Sequence, residues 1–171
     1  MLYVTGKLNL PASEFLLRKC LKHADMFSLT EGPDFSAKED ALYEMLEPFC
    51  LSTLTTNHWF CFYVPEYNKL RVHLYRNCDE SARLIERYYG HLFLEGGGHL
   101  SRMEDICFFK DNTLFMGSVS HENICGIYPP DSSFDREVRD ICGCEKEEDD
   151  VGERIVFAPS NNTAQTSSDS Q

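Results

Sequence analysis

Trp59-Phe60-Cys61-Phe62-Tyr63-Val64, then Pro65-Glu66-Tyr67-Asn68, then Lys69-Leu70-Arg71-Val72-His73-Leu74-Tyr75-Arg76 carries the clearest structural signal in this chain. Two runs rich in aromatic and β-branched residues flank a Pro/Asn turn, the pattern of a β-hairpin. The second run alternates, with Leu70, Val72 and Leu74 on one face and Lys69, Arg71, His73 and Tyr75 on the other. That polar face is expected to meet water or a polar partner. The first run is apolar on both faces, as a central strand is.

On either side of this stretch the pattern changes period. Residues 2–8 read as an edge strand, and residues 12–23 after Pro11 as a helix with Phe15, Leu16, Cys20 and Leu21 on its apolar stripe. Residues 27–35, which hold Gly32-Pro33, read as a loop. Ser36 with Glu39 forms a capping box, and Ala41, Leu42, Met45, Leu46 and Phe49 then recur at helical spacing until Pro48 limits the helix. A Ser/Thr/Asn-rich link leads into residue 59. Residues 79–89 read as a helix closed by Gly90, and residues 91–94 as a short strand. A three-stranded meander follows over 106–109, 114–119 and 124–128, and Pro129-Pro130 stops it. Asp131 or Ser132 caps a last helix over 134–142, closed by Gly143.

Helices and strands do not alternate strictly, and hairpins recur. The expected fold is therefore α+β: one domain over residues 1–158, with a mainly antiparallel sheet of about five to seven strands and about four helices. A fold of this length buries roughly 70% of its unfolded surface. Residues 145–154 read as an acidic linker, and residues 159–171 hold too little apolar surface to offset chain entropy, so a disordered polar tail is expected. With the helices on one sheet face, the aromatic residues of the other need cover, from a partner, a second copy or further helices.

Charge is unevenly spread. Of a net −12, residues 25–66 carry eight acids against Lys38 alone, and residues 131–171 carry eleven acids against four bases. Such a surface repels nucleic acid and anionic membrane and steers toward cationic partners. The first residues lack the pattern of a signal peptide and no stretch approaches a membrane span, so a cytoplasmic location is expected. In that compartment the eight cysteines are expected to be mostly reduced core thiols, Cys61, Cys107 and Cys125 among them.

No motif declares a chemistry. His91, Glu95 and His99 are spaced as three ligands on a helix, but Gly96-Gly97-Gly98 makes that helix improbable. The glycines with Ser101 and Arg102 lack the lysine and hydroxyl arrangement of a phosphate loop. Cys142-Gly143-Cys144 is too closely spaced for the usual zinc pair, and Glu145, Glu147 and Glu148 are expected to raise its thiol pKa values. His73 and His121 read as surface histidines, and Glu104-Asp105 as a solvated pair before a strand. No cofactor and no metal site are expected.

The composition instead favours an acidic protein-binding module that docks a basic protein, with Glu39, Asp40, Glu44, Glu47, Glu145, Glu147, Glu148, Asp149 and Asp150 as its binding acids. Immunity proteins and antitoxins, which neutralise nucleases with basic active sites, have this general character, an analogy of size and charge only. A homodimer is compatible with it. The alternatives are a small hydrolase or transferase with its pocket at residues 91–102, and a subunit of a larger protein assembly.

Overall fold

A computed structural model describes residues 1–5, 8–89, 92, 101–146 and 155–157. Its first half holds β1 (Leu2–Thr5), α1 (Leu10–His23), β2 (Met26–Glu31), α2 (Ala41–Leu46), β3 (Cys50–Thr56), β4 (His58–Trp59), β5 (Phe62–Tyr63) and β6 (Leu70–Arg76). Then come α3 (Asp79–Leu84), which runs on as a π-helical turn (Ile85–Tyr89), β7 (Met103–Lys110), β8 (Thr113–Val119), β9 (Ile124–Ile127), α4 (Ser132–Cys142) and β10 (Glu145–Lys146). Eight strands form one antiparallel sheet in the order β10-β1-β9-β8-β7-β2-β6-β3, while β4 and β5 pair only with each other. The chain is α+β, as expected.

Local sequence accounts for the helices. Asn9 caps α1 by accepting from Ala12 N, with Pro11 in the first turn where its missing N–H costs nothing. Asp131 caps α4 through Phe134 N at 2.8 Å, and Gly143 closes it at φ 63°, a conformation open to glycine. Their apolar stripes meet the sheet on a single face. There Leu16, Leu17 and Cys20 of α1, Leu42 and Leu46 of α2, Ile85 and Tyr89, and Phe134 and Val138 of α4 pack on Phe27, Leu29, Tyr75, Ile106 and Phe108.

The opposite face is covered by the chain itself. Residues 59–64 are not a central strand: His58–Tyr63 folds into a tight ribbon that lies over the sheet. Phe60, at φ 46°, sits over the cross-strand pair Gly117–Gly126, so close that a Cβ on Gly117 would lie 2.6 Å from its ring. Beside it Trp59 packs with Phe109, at 6.2 Å between ring centroids, and with Phe157 at 6.3 Å. Residues 155–157 reach this face through an isolated bridge from Val156 to Thr113. Neither a partner nor extra helices are needed to bury these aromatics.

Three other expectations change. Residues 27–35 are not all loop, because Phe27 and Leu29 alternate with Met26, Ser28 and Thr30 in β2, a central strand that stops where Gly32-Pro33 begins. The Ser/Thr-rich link is strand β3, whose threonines favour extended backbone. The second helix begins at Ala41 with Asp40 as its cap, whereas Ser36–Glu39 forms only a turn. The meander and the last helix fall where expected. Glu145 and Lys146 of the expected linker pair with β1, and the tail, Gly90 and the expected strand at 91–94 (save Leu92, which is buried) lie outside the described residues.

Candidate functional site

At one end of the sheet a groove of about 420 Å3 opens across β7, β2 and β6. It is lined by Thr30, Glu31, Gly32 and Pro33, by residues 68–71, and by Glu104 and Asp105. A β-bulge forms its floor: between the pairs Ser28–Cys107 and Thr30–Glu104, β7 holds two residues where β2 holds one. Asp105 occupies the bulge at φ 52°, a left-handed conformation that aspartate tolerates better than most residues. Its Oδ1 accepts Ser120 N at 2.7 Å, and Thr30 Oγ1 lies 3.4 Å from Oδ2. The expected solvated pair is thus partly buried, with Asp105 only 3% exposed.

Burial pushes the Asp105 pKa upward against the hydrogen bonds from Ser120, and burial together with the Asp105 charge pushes Glu104 upward as well. The groove's two cations are already engaged: Arg71 pairs with Glu31 at 3.3 Å, and Lys69 with Glu66. Among the described residues, no lysine or arginine forms an ion pair with Glu104 or Asp105. Glu104, Asp105 and the exposed His121 each offer a ligand atom, all within 4.8 Å of one another. Two carboxylates and an imidazole suit a divalent cation as well as an ammonium or guanidinium group.

His73 is not a surface residue. It is 1% exposed on the helix-covered face, with Thr53 Oγ1 3.0 Å from Nδ1 and Glu31 Oε1 2.9 Å from Nε2. One imidazole therefore ties together three adjacent strands, β3, β6 and β2, and holds Glu31 at the groove edge. Tyr75, expected on the same polar face, is buried too.

The acids singled out from the sequence divide. Glu39, Glu44 and Glu47 are exposed on α2 and its flanking turns. Asp40 is buried and belongs to no exposed patch: its carboxylate accepts Tyr43 N, Ser101 Oγ at 2.9 Å and Arg102 N at 2.6 Å, clamping α2 to the start of β7. Glu145 lies on β10, opposite Tyr3, and Glu147, Glu148, Asp149 and Asp150 lie outside the described residues. So do His91, Glu95, His99 and Gly96-Gly97-Gly98.

The eight cysteines are free thiols, with Cys20, Cys107 and Cys125 buried but Cys61 and Cys50 exposed. Cys142 and Cys144 interact. A hydrogen bond between them raises the Cys142 pKa, helped by burial, and lowers that of Cys144, helped by Arg139, where the neighbouring glutamates were expected to raise both.

In the sequence Glu104-Asp105 reads only as a solvated pair, because a bulge that buries an acid leaves no periodic trace. No described helix is long and apolar enough to cross a membrane. Comparison with known proteins finds no matching family model, no similar curated protein and no similar solved structure.

Proposed function

We propose that this protein is a binding module for a basic protein, seating a cationic side chain of that partner in the groove of Glu31, Glu104 and Asp105. The observation that carries the reading is the Glu104–Asp105 pair. Burial raises the pKa of both carboxyls, the Asp105 charge raises that of Glu104 further, and an incoming lysine or arginine relieves that repulsion. The exposed Glu39, Glu44 and Glu47, within a chain of net charge −12, supply long-range attraction for such a partner. An enzyme whose own basic site is blocked by this docking, as in immunity proteins and antitoxins, is the partner class that the charge balance fits best.

The test is affinity capture of the tagged chain from its native host at low and moderate salt, repeated with Glu104→Gln. A dominant basic protein, lost as salt rises and bound about tenfold or more weakly by the variant, is expected, in line with losing one side of a desolvated charge pair. A companion held equally well at both salts and by the variant would refute the groove as its seat.

A further inference from the structure

The two edges of the sheet differ in how they are guarded. One ends in β10, only two residues long, a short edge of the kind that resists pairing. The other ends in β3, seven residues of sequence Cys-Leu-Ser-Thr-Leu-Thr-Thr with no charge and no proline. Its residues are exposed or half-buried throughout, Leu51 is 56% exposed, and no described strand pairs with its outer side. After the register shift near Leu51, residues Ser52 to Thr56 run in unbroken pairing with β6. Alternate backbone N–H and C=O groups on the far side therefore stand ready for another strand.

We propose that β3 takes an extended, cationic segment of the partner as a ninth strand, an inference that rests on the basic-partner reading above. Charge selects the occupant. Glu47 lies in the turn that runs straight into β3, with exposed Glu44 and Glu39 just before it. A second copy would bring a further −12 to the same edge. Residues 159–171 of this chain hold Asp169 and no base, so the acidic flank does not attract them. The groove lies at the C-terminal end of β3: Thr55 and Thr56 pair with Arg71 and Leu70, which line it. With strands about 4.8 Å apart, a chain leaving that end of the new strand is within a few strand widths of Glu31. Main-chain bonds to β3 supply affinity, and the acids supply selection for lysine or arginine.

The experiment uses three synthetic probes on the full chain: acetyl-Lys-Val-Lys-Val-Lys-Val-Lys-amide, the same peptide backbone N-methylated at every residue so that neither edge can donate, and an uncharged Thr/Val peptide of equal length. Binding is read by titration, and β3 by amide hydrogen exchange. The cationic peptide should slow exchange at alternate β3 amides. N-methylation, which keeps every charge but removes edge donors, should weaken binding about tenfold or more through loss of several hydrogen bonds. Equal binding of the N-methylated peptide, lost in Glu44→Lys/Glu47→Lys, would overturn strand addition while leaving the basic-partner reading intact. Preferential addition of the uncharged peptide to β3 would instead overturn the choice of a cationic occupant, and the basic-partner reading with it. A dimer whose β3 amides are protected without peptide would make the occupant a second copy and overturn the proposal.

Discussion

Replacing Gly117 by alanine tests how the second face of the sheet is closed. The new Cβ would lie 2.6, 2.7 and 2.8 Å from Cδ2, Cγ and Cε2 of Phe60, whereas carbon atoms in comfortable contact stand about 3.5–4.0 Å apart. The ring must retreat by about 1 Å. It is carried on the two-residue connection between β4 and β5, so retreat lifts the ribbon that also holds Trp59 against Phe109 and Phe157. Overpacking of this kind costs about 1–3 kcal/mol. Removing a glycine from a strand returns about 0.5–1 kcal/mol, leaving a net loss of about 1–2 kcal/mol. In a Phe60→Ala background the clash is gone, and Gly117→Ala should be neutral or stabilising by about 0.5 kcal/mol. A double-mutant cycle in urea should thus return a coupling of about 1–3 kcal/mol. An equal cost of Gly117→Ala in both backgrounds would show that Phe60 does not close this face. Gly126→Ala meets only the ring tip at 2.9 Å and the flexible Met1 sulfur at 3.1 Å, so it should cost less than Gly117→Ala.

Asp40→Ala removes a helix cap and strands the buried Ser101 hydroxyl and Arg102 N–H, so denaturant unfolding should show a loss of roughly 2–4 kcal/mol. Glu44→Lys, on an exposed position of the same helix, should shift stability by less than about 0.5 kcal/mol. Glu104 and Asp105 have raised pKa values in the folded chain, so the folded state binds more protons than the unfolded one just above the ordinary carboxyl range. Their contribution to stability is accordingly full below that range and lost as pH rises through the raised values. Thermal unfolding of Glu104→Gln should therefore gain on the native chain more at pH 7 than at pH 4, and a gap independent of pH would contradict the assignment.

What could be read from the residues was what local signals write down. The meander from Met103 to Ile127 shows in its apolar runs and turn residues, and α4 in Asp131 and Gly143 at its two ends. The edge strand β3 was hidden because its exposed threonines and serine resemble a polar linker, and β2 because Gly32-Pro33 lent its loop character to the residues before it. Residues 59–64 read as a buried strand since a strand's apolar content cannot distinguish lying within a sheet from lying across it. The burial of Asp40, His73 and Asp105 arises from partners far along the chain: Ser101 and Arg102 for the first, Glu31 and Thr53 for the second, Ser120 for the third. Of the groove's acids, Glu104 and Asp105 read in the sequence only as a solvated pair, while Glu39, Glu44 and Glu47, read as binding acids, are exposed but do not line the groove.

The association rate between this chain and its captured basic partner, measured by stopped flow across ionic strength for the native chain and for Glu39→Lys/Glu44→Lys/Glu47→Lys, tests the account most directly. The rate should fall steeply with added salt and drop about tenfold or more in the variant at low salt, since long-range charge sets the encounter. A rate indifferent to salt and to the reversal of these three acids would contradict it.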